Sequence, residues 1–239
     1  MKSLKCSLIL IALLFIHTNL WAACNRELMH DKLKKTLPDV TFDDIRDAPM
    51  KGWCEISIGA EVYYLEEKQL LLFSGELVSL KSGENYSNKR RAALVRNILN
   101  TELTQEEILV IPSKNAKSYV TVFTDVDCPY CRKFHEDVPH LLEHGVEIRY
   151  LLFPRSGLRG PVYNKSVAVW CAKDRVNAIN RAETSQAIEM RTCNNPVSKH
   201  YELGRKLGVT GTPTLILPDG SRIGGYIPAD QLLGKMGLK

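Results

Sequence analysis

Beyond its N-terminus the 239-residue chain has no apolar run long enough to cross a bilayer. It also lacks a strong excess of one charge. The formal net charge is +5, two units of which are Lys2 and Lys5 in a segment that reads as removable. That bias is too small to argue for nucleic acid, and the densest basic cluster, "NKRRAALVR", reads as a solvated helix face. There is no internal repeat. There is also no second CxxC to accompany Cys128 and Cys131, and a structural zinc site usually needs a second ligand pair. His135, four residues after Cys131, reads as a surface histidine rather than a third ligand. No metal or other cofactor is expected.

What is present begins with a leader. Lys2 and Lys5 precede the uncharged run "LILIALLFI", then polar residues and "LWAAC". A basic region, a short apolar core and small residues describe a secretory signal peptide. The expected cut follows Ala22, with Ala23 as the alternative, so residues 1–22 would be removed. Cys24 after two alanines loosely resembles a lipoprotein processing site, but Trp21 fits that pattern poorly, and lipid anchoring at Cys24 is not expected. Of the seven cysteines, Cys6 leaves with the leader. Six remain, and an even number in an exported chain favours disulfides over free thiols or zinc.

The mature chain changes character along its length. "RELMHDKLKKTL" places Leu28, Met29, Leu33 and Leu37 at helical spacing before Pro38. "WCEISI", "EVYYL", "LLLFSG" and "ELVSL" read as an antiparallel meander. This small unit, residues 23–86, buries too little surface to be comfortably stable alone, and an open edge strand invites a second copy. A helix over 87–105, capped by Ser87 or Asn88, carries Leu94, Val95, Ile98 and Leu99 on one face and reads as a linker. From 106 to 239 the order is strand, helix, strand, a helical block, a hairpin turning at Pro218-Asp219-Gly220, and a last helix behind Pro228. That is the thioredoxin-like order with a helical insertion. The fold class is therefore α+β: a thioredoxin-like domain, a small α+β N-terminal domain and a helix joining them.

The chemistry sits in "TDVDCPYCRKF". Cys128 would open a helix, with Pro129 in its first turn, where a missing N–H costs nothing. Unpaired N–H groups and the helix dipole favour the Cys128 thiolate, and Cys131 lies one turn on. Arg132 and Lys133 add positive charge, while Asp125 and Asp127 oppose it. As a passive staple a CxxC bridge closes too small a loop to stabilise much, which favours a redox role. Some eighty residues on, "GVTGTPTLIL" opens a strand with Thr212-Pro213. An ordinary strand-initiating proline is one reading. A cis bond that brings backbone to the cysteines and leaves Thr212 free to pair with an extended peptide is the other, and the upstream CxxC favours it.

"VTVFTDVDCPYC", "YLLFPRSGL", "VWCAKD" and "YELGRKLGVTGTP" together resemble the periplasmic disulfide isomerases of the DsbC/DsbG family, over nearly the whole mature chain. The resemblance implies an N-terminal dimerisation domain and a V-shaped homodimer whose catalytic domains face a shared apolar cleft. It implies Cys128 as the attacking and Cys131 as the resolving thiol, with Pro129, Tyr130, Thr212 and Pro213 meeting substrate. Cys171 and Cys193 match the second, structural disulfide of the DsbC branch. Pro-Tyr between the cysteines looks instead like the DsbG branch, associated with rescue of sulfenylated cysteines. Cys24 and Cys54 depart from the family pattern and are expected to bridge the N-terminal helix to the meander.

The leading function is isomerisation or reduction of wrong disulfides in misoxidised or unfolded exported proteins in the periplasm. The dithiol would be kept reduced by a membrane thiol reductase of the DsbD type. Competing readings are a disulfide-forming oxidase, a DsbG-like reductase of sulfenylated cysteines, and a holdase chaperone. Chaperone activity can also coexist with isomerisation.

Overall fold

Asparagine and proline mark where the first elements begin and end. A computed structural model describes residues 23–238, so the leader expected at 1–22 lies outside the described residues. Helix α1 (Arg26–Thr36) opens where the Asn25 side chain accepts the Leu28 N–H, and it closes ahead of Pro38. Met29 and Leu33 are buried, but Leu28 and Leu37 are exposed, so only a narrow stripe of the helix meets the core. Strands β1 (Asp44–Asp47), β2 (Trp53–Ile58), β3 (Glu61–Glu66) and β4 (Leu72–Phe73) then pair in that order, all antiparallel. The meander differs from its sequence reading at both ends. β1, "DIRD", carries no alternating pattern and is a strand because it pairs with β2 and buries Ile45. "ELVSL" makes a single bridge, Val78 to Asn85.

Helix α2 (Tyr86–Glu102) starts earlier than expected. Asn85 is its cap, accepting the Asn88 N–H at 2.9 Å. Ser87 lies inside the first turn, fully buried, where its Oγ meets the Tyr64 hydroxyl at 2.9 Å and accepts the Leu77 N–H at 2.8 Å. The buried carboxylate of Glu55 on β2 takes Arg46 and Arg90, each at 2.8 Å. A charge so placed requires such partners, and here they tie β1, β2 and α2 together. The opposite face of α2 buries Val95 and Ile98 against Phe123, Leu151, Phe153, Leu203 and Ile216.

A 3-10 turn (Gln105–Glu107) leads into β5 (Leu109–Ile111), β6 (Ser118–Thr124), α3 (Pro129–Glu136), α4 (Val138–Glu143) and β7 (Val146–Leu152). The single helix expected after Cys128 is thus two. Pro139 cannot donate to the His135 carbonyl, and the chain breaks at Asp137, whose carboxylate accepts the Tyr226 hydroxyl and the Ala229 N–H. The helical block is α5 (Pro161–Trp170), α6 (Arg175–Glu183) and α7 (Val197–Lys206), with residues 184–196 largely non-helical. β8 (Thr214–Ile216), β9 (Arg222–Gly224) and α8 (Ala229–Met236) complete the chain.

The second sheet runs β5-β7-β6-β8-β9, with β6 and β7 parallel and the other pairs antiparallel. α2 and α7 cover one face, and α3, α5, α6 and α8 pack on the larger core of the other. Gly220, in the β8–β9 turn, has φ +90°, and a Cβ there would overlap the Ala92 carbonyl oxygen of α2. The hairpin therefore meets α2 backbone against backbone.

One buried polar group reports on this packing. His200 of α7 has no exposed surface. Its Nδ1 accepts the Leu152 N–H of β7 at 3.1 Å, and its Nε2 reaches the Glu107 carbonyl at 2.7 Å. Those partners assign the neutral ring with the proton on Nε2. Burial pushes its pKa down to about 4, against the opposing pull of the Glu107 carbonyl. Between that value and the ordinary histidine range the unfolded chain binds a proton that the native chain does not, so stability falls as pH falls through the window. The contribution is roughly 3 kcal/mol. In urea melts from pH 7 to pH 4, His200→Gln should lose that much less stability than wild type over this interval. Parallel curves would show that His200 binds its proton equally in the native and unfolded states, against the assigned burial.

Candidate active site

β6 delivers the chain to the site and α3 receives it. At the strand end Asp125 is almost fully buried. Its carboxylate accepts the Asp127 N–H at 2.9 Å, the Arg155 N–H at 2.9 Å and Arg155 Nε at 3.0 Å. Asp127 turns to Lys165 at 2.7 Å, with Arg132 at 3.8 Å. The two acids that opposed the thiolate on paper are thus paired with cations. Cys128 is the residue that caps α3, with Pro129 first in the helix. Its sulfur lies 3.2 Å from the Thr212 carbonyl oxygen, and Thr212-Pro213 is a cis peptide. Tyr130, between the cysteines, is 63% exposed.

The two sulfurs are free, buried and unlike. Burial pushes the Cys128 thiol up, but hydrogen bonds outweigh it. Thr212 contributes first, then the Cys131 N–H, the Cys131 thiol and the Tyr130 N–H, and together they hold Cys128 below the ordinary cysteine value. The Thr212 carbonyl favours the protonated sulfur. The buried Thr212 hydroxyl favours the thiolate at both sulfurs. Cys131 sits one turn deeper, where burial pushes it up to about 12 against the hydroxyl of Thr124 and the N–H of Asp125. One sulfur is poised to attack and the other is held protonated.

Thr212 and Pro213 are thus brought to Cys128, while the other four cysteines lie apart as two disulfides. Cys171 at the end of α5 joins Cys193 in the 184–196 segment, and Cys24 joins Cys54 of β2. His135 is not on the surface as expected. It is buried, bonded to the Tyr150 hydroxyl at 2.9 Å, and held by burial below the usual histidine value. Sequence reasoning missed three groups: Arg155 on Asp125, Lys165 on Asp127, and Glu183, buried at the end of α6 and accepting the Thr124 hydroxyl at 2.7 Å. All are far from the CxxC in sequence, and only the sheet order brings them near. An open groove that reaches Asp127 is lined by Pro161, Lys165, Ile188 and Met190. A more enclosed cavity, between α2 and β6–β7 around Leu99, Leu103 and Tyr119, is lined by neither cysteine.

Fold and site define a thioredoxin-like thiol–disulfide oxidoreductase. Residues 104–237 match the family described as a thioredoxin-like domain, and residues 22–88 match the disulfide bond isomerase protein N-terminal domain. The thiol:disulfide interchange protein DsbC of Haemophilus influenzae is 34% identical over 88% of this chain and 92% of that protein. The DsbC of Escherichia coli K12 is 31% identical over 81% and 80%. A solved disulfide interchange protein from Neisseria gonorrhoeae superposes with a TM-score of 0.52 at 28% identity, covering 56% of this chain and 96% of that one. The chain belongs to the DsbC family of thiol:disulfide interchange proteins.

The contrast between the sulfurs has a direct readout. Treatment of the fully reduced protein with one equivalent of iodoacetamide at pH 7, followed by peptide mass mapping, should place nearly all label on Cys128. Label divided evenly with Cys131 would contradict the assigned environments.

Proposed function

We infer that the protein isomerises or reduces incorrect disulfides in exported proteins through the Cys128-Pro129-Tyr130-Cys131 dithiol. Cys128 attacks a client disulfide and forms a mixed disulfide. A client thiol then resolves it into a new pairing, or Cys131 does so and leaves the client reduced. The observation that carries this reading is the unequal pair: a sulfur stabilised as thiolate at a helix N-terminus beside Thr212-Pro213, and one turn on a sulfur held up to about 12. Tyr130 and the Thr212-Pro213 loop are the substrate contacts.

The organisation that goes with it is a cleaved leader over 1–22, residues 23–86 as a dimerisation domain, 87–105 as linker and 106–239 as catalytic domain, acting in the periplasm as a homodimer with chaperone activity. Exposed Leu71, Leu72, Phe73, Val78 and Leu80, on and around edge strand β4, support the pairing surface. A dithiol that works reduced in an oxidising compartment needs an electron donor, and a membrane thiol reductase of the DsbD type fits. The Cys171–Cys193 bridge favours the DsbC branch over the DsbG-like reading, which rests on the Pro-Tyr dipeptide.

Reactivation of a scrambled multi-disulfide protein tests the reading. Reduced wild type should restore activity and Cys128→Ala should not. Cys131→Ala retains shuffling if the client resolves its own mixed disulfide, and loses it if the cycle passes through reduction and reoxidation. No recovery by reduced wild type would overturn the isomerase reading in favour of a disulfide-forming oxidase, a sulfenate reductase or a holdase. The pairing surface has its own test: Leu72→Glu with Phe73→Glu should convert a dimer to a monomer in sedimentation equilibrium, and an unchanged mass would move the interface elsewhere.

A further inference from the structure

Glu183 has no part in the chemistry described so far. It is the last residue of α6, and it is 1% exposed. Oε1 accepts the Thr124 hydroxyl at 2.7 Å, and Oε2 has no partner among the described residues. A buried carboxylate oxygen without a donor is costly, and a proton on that oxygen removes the cost. Thr124 is also fully buried, and its hydroxyl is near enough to the Cys131 sulfur to favour the thiolate there. Cys131, Thr124 and Glu183 therefore form a line from α3 through β6 to α6.

We propose that Glu183 accepts and returns the proton of Cys131, through the Thr124 hydroxyl, when Cys131 resolves a mixed disulfide on Cys128. This rests on the reading of Cys131 as the resolving thiol. A hydroxyl has one hydrogen and can accept others, so the line has two forms. In one, the Cys131 thiol donates to Thr124 and Thr124 donates to the Glu183 carboxylate. In the other, protonated Glu183 donates to Thr124 and Thr124 donates to the Cys131 thiolate. Passing between them moves one proton from sulfur to carboxylate and leaves the hydroxyl whole.

The thiolate is then free to attack. Cys131 Sγ bonds to Cys128 Sγ, the bond from Cys128 to the client sulfur breaks, and the client sulfur leaves with the electron pair and takes a proton from solvent. The two enzyme sulfurs are oxidised together and the client is reduced by the same two electrons. In reverse, the proton on Glu183 returns to Cys131. The need for such an acceptor is quantitative. A thiol held up to about 12 is thiolate at only about one part in 10⁵ at pH 7. Burial brings Glu183 up to about 7, so it can hold either state where the enzyme works.

The charged and titratable groups that face Glu183 are Arg132 and Cys131 of α3, Lys165 of α5, Asp125 after β6 and Tyr150 of β7. Arg132 and Lys165 favour the carboxylate and Asp125 opposes it. Tyr150 is buried and held well above its ordinary value, so it stays neutral across the working range.

Stopped-flow reaction of the reduced, full-length mature protein with one equivalent of dithiobis(nitrobenzoate) separates the steps. The first release of coloured thiol, dependent on concentration, is attack by Cys128. The second, independent of concentration, is resolution by Cys131. In wild type the second rate should rise with pH to an inflection near 7. Glu183→Gln should slow that phase by about 10²-fold at pH 8, the low end for positioned proton transfer, and abolish the inflection. Thr124→Val should do the same, and Thr124→Ser should keep both rate and inflection. A second phase in folded Glu183→Gln or Thr124→Val with the wild-type rate and pH profile would overturn the relay alone. A wild type without a second phase would overturn the resolving role of Cys131 and the relay with it.

Discussion

Where α3 begins decides everything at the dithiol. The helix starts at the residue after Cys128 because β6 ends at Thr124, Asp125 is fixed by Arg155 and the Asp127 N–H, and Pro129 suits the first turn. That start gives one sulfur the free N–H groups of a helix N-terminus and sends the other, a turn later, into the core. Sulfurs of the same chemical type, three residues apart, thus have opposite protonation tendencies. The order of events in thiol–disulfide exchange follows from this contrast: the sulfur at the helix N-terminus starts as a nucleophile, and the sulfur one turn deeper is released only once its proton has somewhere to go.

Two fully buried titratable groups show how differently the fold uses polarity. His200 has a partner on each ring nitrogen and is neutral throughout its working range, so it fastens α7 to β7 and to the turn before β5. Glu183 has a partner on one oxygen only. Its raised pKa has the opposite sign in linkage: the native protein holds a proton that the unfolded chain gives up, so stability is lost as pH rises from the ordinary carboxylate range to about 7. The loss is roughly 3 kcal/mol, a substantial share of a typical 5–15 kcal/mol. An apolar residue would avoid it. Arg132 and Lys165 offset part of it without closing the open oxygen.

The sequence was most legible where local chemistry decides the outcome. The CxxC at a strand–helix junction, the Thr-Pro opening a strand and the alternating meander all carry their own pattern, and resemblance to a known family added the Cys171–Cys193 partners. It was least legible where partners far along the chain decide. "DIRD" has no strand signal of its own and becomes β1 by pairing with β2. His135 looked like a solvent residue because nothing near it in sequence says that Tyr150 covers it. Glu183 closes a polar helix and is indistinguishable there from a surface glutamate, since only the crossing of α6 over the end of β6 buries it. Boundaries moved for local reasons: Asn85 outcompeted Ser87 and Asn88 as a cap, and Pro139 divided one helix into two.

The helix between the sheets does more than join them. Its charged face meets the first sheet, with Arg90 on Glu55 and Arg91 on Glu61 and Glu76. Its apolar face completes the core beneath β6 and β7. The β2–β3 turn reaches the thioredoxin-like domain directly, where the Ala60 N–H donates to the Lys206 carbonyl at 3.0 Å and Glu61 meets Arg222 at 3.0 Å. Lys206 and Arg222 flank the strand that follows Thr212-Pro213, so contacts made by the first sheet end a few residues from the dithiol's own partner loop. In the homodimer proposed above, a free hinge would leave the two copies without a defined spacing between their cysteines. A helix packed on both sides would instead transmit the position of edge strand β4 to Cys128, and the meeting of the edges would then set the separation of the two dithiols.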